Sequence, residues 1–386
     1  MGTFGTGPVS RRGLIRLGGG AAAGLVLGGA AAGTAGATAR AGAPTGAVTA
    51  EAGALALPVS PSFDFGDGAT ALFMHKQAWC PTVMQCAGYD HLNKHWYVAQ
   101  VMYNPDDGVS YATRKLEGDI AITKLSADGS TKLGRMYLRG FGHGAQIGIE
   151  ATAAGSAPYI WIEYDSKPNS EKTGFGSRLC RIKYVGPAAD QPPRSFHWDD
   201  AADRTAMNFK DRTPDPLKLP GAGTTLTSPR PVVDMQHRRV LVRFNRNGQW
   251  QCAVWDLDTA SAAPLGAPLH HFADLPRPVY DAQGFCLYGS YIYMYEGEAY
   301  TGGGPTNTAD VGTTHITKID LNTGVSERGL TRALKSLEFR EPEGMNIMLV
   351  PDPARPGSFL PRLTFGFASG LSGDRRVNIA YKDALI

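Results

Sequence analysis

Gln283-Gly284-Phe285, then Tyr291-Ile292-Tyr293-Met294-Tyr295, then Ile316-Thr317-Lys318-Ile319-Asp320-Leu321-Asn322-Thr323-Gly324 are the stretches on which the fold turns. A polar turn opens into a short strand. A strand rich in β-branched and aromatic residues follows, and a third strand ends in a Gly-containing turn. The same succession occurs four more times. One unit opens at Met84-Gln85-Cys86 and closes over 120–129. A second opens at Gly142-His143-Gly144-Ala145-Gln146 and closes over 179–184. A third runs from Arg230-Pro231-Val232-Val233-Asp234 to 253–258, and a last from Glu341-Pro342-Glu343-Gly344-Met345 to 377–381. Units of about 50 residues with three or four strands are propeller blades. The interval between the second and third openings is longer. It holds an insertion, about 186–228, marked by Pro192-Pro193, Pro214 and Pro220. No long stretch has helical periodicity. The expected fold is all-β, a five-bladed β-propeller over 58–386, with a two-sheet sandwich as the competing arrangement.

Upstream of the repeat the chain changes character. Ser10-Arg11-Arg12-Gly13-Leu14-Ile15-Arg16 precedes an uncharged run of Gly, Ala and Leu, with small-residue cleavage options such as Ala37-Thr38-Ala39. That is a basic n-region, an apolar h-region and a cleavage site, and the paired arginines match the twin-arginine export pattern. Residues 1–39 read as a signal peptide. A transmembrane anchor is the competing reading, but the run is Gly-rich and weakly apolar for a span. Residues 40–57, rich in Ala, Gly, Thr and Pro, read as a disordered linker. The mature protein is expected to be secreted, a monomer without a membrane partner.

Composition narrows the partners. The chain carries 38 Lys and Arg against 35 Asp and Glu. Removing the three arginines of residues 1–39 leaves 35 basic against 35 acidic side chains, so the mature chain is neutral. A phosphate-backbone binder usually shows a basic excess, so nucleic acid is not expected. The five cysteines, Cys80, Cys86, Cys180, Cys252 and Cys286, do not form a fully paired framework. Cys80 and Cys86 are close enough in sequence for one exported disulfide. The other three lie in apolar runs and read as buried hydrophobes. No zinc motif occurs, and no metal or cofactor is expected.

In a propeller the first strand of each blade lines the central channel, and its entry turn faces one rim. The repeat therefore draws Gln85, His143, Gln146, Arg230, Gln283, Glu341 and Glu343 towards one axis. Polar groups opening every blade are costly as core, about 1–3 kcal/mol each when unpaired. Mutual hydrogen bonding that merely closes the ring is the structural alternative. His143 lies between Gly142 and Gly144 and suits proton transfer near neutral pH. Tyr164 ends a strong strand, and Arg178 lies at the start of the next, so a hairpin brings both to one rim. Glu341 and Glu343 share a strand face, a spacing that suits glycoside hydrolysis. Tyr164 and Tyr295, at strand ends, are candidates for stacking on sugar rings.

The strings Gly140-Phe141-Gly142-His143-Gly144-Ala145-Gln146-Ile147-Gly148-Ile149-Glu150 and Tyr159-Ile160-Trp161-Ile162-Glu163, with Gln283-Gly284-Phe285 and Glu341-Pro342-Glu343-Gly344-Met345, carry a resemblance. They resemble the actinomycete proteins called teichoic acid biosynthesis protein C. That group is related to the β-propeller of staphylococcal podovirus receptor-binding proteins and to helveticin-type bacteriocins. The resemblance covers roughly residues 60–386. It implies a five-bladed propeller that meets cell-surface glycopolymers, and it supplies no catalytic residue. A looser similarity links His143, Tyr164 and Arg178 to the histidine, tyrosine and arginine of some propeller polysaccharide lyases, which usually have seven blades.

These readings give a secreted carbohydrate-active propeller that engages an anionic polysaccharide or cell-surface glycopolymer on its central rim. As a polysaccharide lyase it would cleave by β-elimination next to a uronate. Arg178 or Arg230 would neutralise the carboxylate, and His143 or Tyr164 would move the proton. Gln85, Gln146, Arg230, Gln283, Tyr295, Glu341 and Glu343 would bind substrate. The alternatives are a non-catalytic binding module for teichoic acid-like wall polymers and a helveticin-like bacteriocin.

Overall fold

The computed structural model of the chain describes residues 56–103, 107–302 and 312–386. The expected signal peptide, and the expected linker up to residue 55, lie outside them. The first strand, β1 (Thr70–Lys76), joins the sheet of the last blade. Blade one follows with β2 (Met84–Asp90), β3 (His95–Val101), β4 (Ile120–Leu125) and β5 (Lys132–Arg139). Blade two holds β6 (Gly148–Glu150), β7 (Tyr159–Pro168) and β8 (Gly174–Lys183). The insertion supplies β9 (Ser195–His197) and β10 (Lys210–Asp211). Blade three is β11 (Leu226–Asp234), β12 (Arg239–Arg246), β13 (Gln249–Asp256) and β14 (His270–Phe272). Blade four is β15 (Ala282–Tyr288), β16 (Tyr291–Glu296), β17 (His315–Asp320) and β18 (Ser326–Leu330). Blade five is β19 (Glu341–Pro351), β20 (Phe359–Ser369) and β21 (Arg376–Lys382), with β1 on its outer edge.

These are five antiparallel sheets whose innermost strands, β2, β6, β11, β15 and β19, contact one another in a ring. The middle strands are buried on both faces, because each blade packs against two neighbours. That is why they read as continuous apolar runs. Five side-chain clusters fill the five gaps. Ile122 and Ile162 meet between blades one and two. Trp161 and Val242 meet between two and three, and Val254 and Leu287 between three and four. Tyr295 and Phe365 lie between four and five. Trp96 and Met348 close the circle between five and one.

The insertion does not hang free. β9 runs parallel to β5 as a fifth strand of blade one, and β10 caps β8 as the fourth strand of blade two. Both cover outer sheet edges that would otherwise offer unpaired backbone. Ring closure joins the two ends of the domain. Thr70 pairs with Tyr381 and Phe73 with Ile379. Further out, Ser62 and Ile386 exchange backbone hydrogen bonds of 2.9 and 2.8 Å. The fold also takes in Leu57, the last residue of the expected linker. It is buried against blades three and four and held through its backbone by the Asn322 amide.

One expectation is overturned. Cys80 and Cys86 form no disulfide; all five cysteines are free thiols and buried. The Cys86 Sγ donates to the Gly144 carbonyl at 3.0 Å, and the Cys80 Sγ accepts from the Tyr103 backbone N–H. The two thiols therefore face different neighbours. Burial pushes the Cys80 thiol up to about 11. No helix among the described residues is long and apolar enough to cross a membrane.

Two outcomes follow. β21 lies between β20 and β1, so deleting residues 375–386 removes an interior strand and the ring closure together. The truncated protein is expected to lose its cooperative thermal transition by circular dichroism; a wild-type melt would contradict the closure. His271 is buried against Phe244, with Nε2 on Gln251, and burial holds its pKa down to about 4. The unfolded chain takes up that proton near pH 6.5, the folded one near 4. Its contribution is intact above pH 6.5 and is lost as pH falls towards 4. The melting temperature should fall across that window, and less steeply in His271→Gln.

Candidate functional site

A cavity of about 140 Å³ opens on the ring axis and is lined from all five blades. Gln85 comes from blade one, His143, Gln146 and Phe175 from blade two, Ser228, Arg230, Arg243 and Trp250 from blade three, Asp281 and Gln283 from blade four, and Glu343 from blade five. A shared backbone device aims four of them inward. β2 slips register against β3 between Met84 and Cys86, at Gln85. β11 slips between Thr227 and Arg230, at Ser228. β15 slips between Ala282 and Gly284, at Gln283, and β19 between Pro342 and Met345, at Glu343. A bulged residue leaves the ladder and turns its side chain out of the pleat. Here that turn is towards the axis.

Glycine permits the close approach of these bulges. Gly344 has φ 70° and lies so near blade one that a Cβ would fall 2.5 Å from the Cys86 Cα. Blade two has no such bulge, because its inner strand begins only at Gly148, after the loop that carries His143 and Gln146. Gln146 reaches across the axis. Its Nε2 donates to the Met345 carbonyl of blade five, and its Oε1 accepts from the Phe285 N–H of blade four, both at 3.2 Å. The cavity therefore has a floor.

The wall between blades two and three is organised by Glu163, which is fully buried. Oε1 accepts from the backbone N–H groups of His143 and Gly144 at 2.9 and 2.8 Å. Oε2 accepts from the Gly176 N–H at 2.6 Å and pairs with Arg230 Nη1 at 2.7 Å. Beside Arg230, in register across the strand pair, lies Arg243. Its guanidinium sits 3.8 Å over the Trp250 ring. Burial, with the Arg230 charge alongside, brings Arg243 down to about 10, so it stays a cation at neutral pH. Asp281 of blade four and Glu343 of blade five also line the cavity, so it holds carboxylates and amides as well as the two guanidinium groups.

The structure distributes the residues expected at the rim. Gln85, His143, Gln146, Arg230, Gln283 and Glu343 come together at the cavity; the Gln85 amide donates to the Val83 carbonyl and the Gln283 amide to that of Gly297. His143 packs its ring 4.9 Å from Phe175. Tyr164 and Arg178 pair across the β7–β8 hairpin, as the sequence implies, but not at the cavity. Tyr164 is core, against Trp198 and Phe209, and Arg178 lies over its ring and on Asp211 of β10. Burial, with the Asp211 charge next to it, raises the Tyr164 phenol, further from the phenolate that a base would need. His143, Tyr164 and Arg178 do not share one site. Tyr295 is likewise core, its hydroxyl on the Gly366 carbonyl, while its neighbour Met294 lines the cavity. Glu341 lies outside the lining, so it makes no facing pair with Glu343 there. Arg340 is fully buried and donates to Ala333, Thr314 and Thr331, a structural role.

Sequence reading missed Glu163, Phe175, Arg243, Trp250 and Asp281. Glu163 and Arg243 had a signal: each is a charge inside an apolar strand, 159–164 and 240–244. A fully buried charge needs a partner or a ligand.

Comparisons with known proteins agree with this architecture. Residues 83–381 match the family described as the phage 5-bladed β-propeller receptor-binding platform domain. The chain is 27% identical over 320 residues to the putative major teichoic acid biosynthesis protein C of Bacillus subtilis (strain 168), covering 81% of this chain and 62% of that protein. It thus spans less than two thirds of that relative. Among solved structures, the tail fiber of Staphylococcus aureus phage P68 superposes with a TM-score of 0.57 at 18% identity, over 83% of this chain and 53% of that one.

Removing the Glu163 carboxylate strands Arg230 and three backbone donors. Glu163→Ala should destabilise the fold by about 3–5 kcal/mol in denaturant titrations, and Glu163→Gln by less. A loss under about 1 kcal/mol for Glu163→Ala would show that the network is dispensable.

Proposed function

Since the chain belongs to the phage five-bladed β-propeller receptor-binding platform family, we propose that it is an exported binding protein whose axial cavity holds part of an anionic cell-surface glycopolymer. The observation that carries this reading is the convergence of side chains from all five blades on one floored cavity with a buried cationic side. Amides at Gln85 and Gln283 and the carboxylate at Glu343 suit hydroxyl groups, which both donate and accept. Phe175 and Trp250 offer apolar faces to a carbon skeleton. The similarity to a teichoic acid-related protein supports a wall polymer as the ligand class.

Binding is favoured over β-elimination. A lyase needs base, acid and carboxylate-neutralising groups around one carbon. Here Tyr164 and Arg178 lie with Asp211; the cavity keeps His143 and Arg230, and Arg230 is already paired with the Glu163 carboxylate.

Co-sedimentation with purified Gram-positive walls, and with the polymer extracted from them, tests the reading. Wild type should be retained, and Gln283→Ala and Phe175→Ala should each weaken retention about tenfold. Arg178→Gln, outside the cavity, should bind as wild type. Absence of retention on every wall fraction would refute binding. Unsaturated product from uronate polymers, lost in Arg178→Gln, would establish the lyase instead.

A further inference from the structure

Arg243 is the one cation of the cavity whose chemistry the binding reading leaves unassigned. Its residue exposure is 7%, so the guanidinium is more than nine-tenths buried, yet it lines the cavity. Among the described residues nothing accepts from its Nε or Nη2. Those two N–H groups form one edge of the guanidinium, the edge that grips two oxygens of an oxyanion side by side. The same molecule shows that edge in use. Arg181 presents Nε and Nη2 to the two oxygens of Glu150, each at 2.7 Å. Arg230, the register neighbour of Arg243, has its own carboxylate in Glu163. Arg243 has none. Its plane is held by Trp250 at 3.8 Å and Phe285 at 5.9 Å, so the edge is fixed before any ligand arrives.

We propose that the Nε–Nη2 edge of Arg243, stacked on Trp250, is the anion subsite of the cavity and takes the phosphodiester of a polyol-phosphate or sugar-phosphate polymer. This rests on the binding reading and sharpens it to one side chain and one linkage. The charge balance selects a monoanion with two terminal oxygens over a dianion, and an oligoglucuronate probe separates the diester from a carboxylate. One unpaired guanidinium calls for one negative charge, and a phosphodiester carries one on two terminal oxygens. A phosphomonoester near neutral pH carries up to two, and its second charge would enter a cavity that Asp281 and Glu343 also line. A diester also continues as a chain on both sides, which leaves the adjoining hydroxyls for Gln283 and Glu343.

The test is calorimetric titration of the full chain with three probes: a synthetic glycerol-phosphate hexamer, an oligoglucuronate of equal length, and a neutral glucan oligomer. Wild type should bind the phosphodiester hexamer at least tenfold more tightly than either other probe. Arg243→Gln should lose roughly ten- to a hundredfold of that affinity. Arg243→Lys keeps the charge without the fork and should lose most of it as well. Unchanged affinity in either variant would overturn the assignment of Arg243. Equal or tighter binding of oligoglucuronate would overturn the phosphodiester while leaving an anionic-polymer site intact. No binding of any probe, with no retention on walls, would remove the binding reading itself. If Arg243→Gln does not fold, the wild-type preference among the probes and the Arg243→Lys variant decide the matter.

Discussion

Closing five twisted sheets into a ring is the constraint on which the rest of the molecule depends, and one strand pairing achieves it. β1, from the beginning of the described chain, completes the sheet that ends with β21. The pairing leaves no gap between blades five and one, and the cluster around Trp96 and Met348 fills the seam. Only in a closed ring do five inner strands point at one axis. The cavity is a consequence of closure, since no blade contains enough of it to bind anything alone.

Within that ring, irregularity does the aiming. A regular strand sends alternate side chains to its two faces, both of which are buried between blades here. The bulges at Gln85, Ser228, Gln283 and Glu343 break the alternation at the inner strand ends and turn polar side chains towards the axis. Glu163 ties the fifth contribution, the His143 loop, to blade three through Arg230. The site is therefore built on sheet edges pinned by buried hydrogen bonds, which favours a preformed cavity that pays little ordering entropy on binding.

The blades were legible in the sequence because polar turns interrupt apolar runs at a regular spacing. Closure follows from a blade count, since a ring left open would expose unpaired sheet edges. What the sequence did not reveal was the phase of each strand. Tyr164 and Tyr295 were expected at the rim, yet both are core, and their neighbours Glu163 and Met294 serve the cavity instead. A shift of one position exchanges the two faces, and a bulge makes that shift without any compositional trace. The His-Tyr-Arg set had the right types in the right order for a lyase, but Tyr164 and Arg178 share a hairpin face away from the cavity while His143 sits on the loop before β6. Cys80, in the bend before β2, and Cys86, within β2, are near in sequence but directed to different partners.

A ligand held in the axial cavity would touch all five blades. Hydrogen–deuterium exchange with and without purified wall glycopolymer tests it most directly. Binding on the axis should add protection in the inner segments of every blade, around residues 84–90, 142–150, 226–234, 282–288 and 341–351, with outer strands such as β18 unchanged. Protection confined to one blade, or centred on the Tyr164 and Arg178 hairpin, would contradict it.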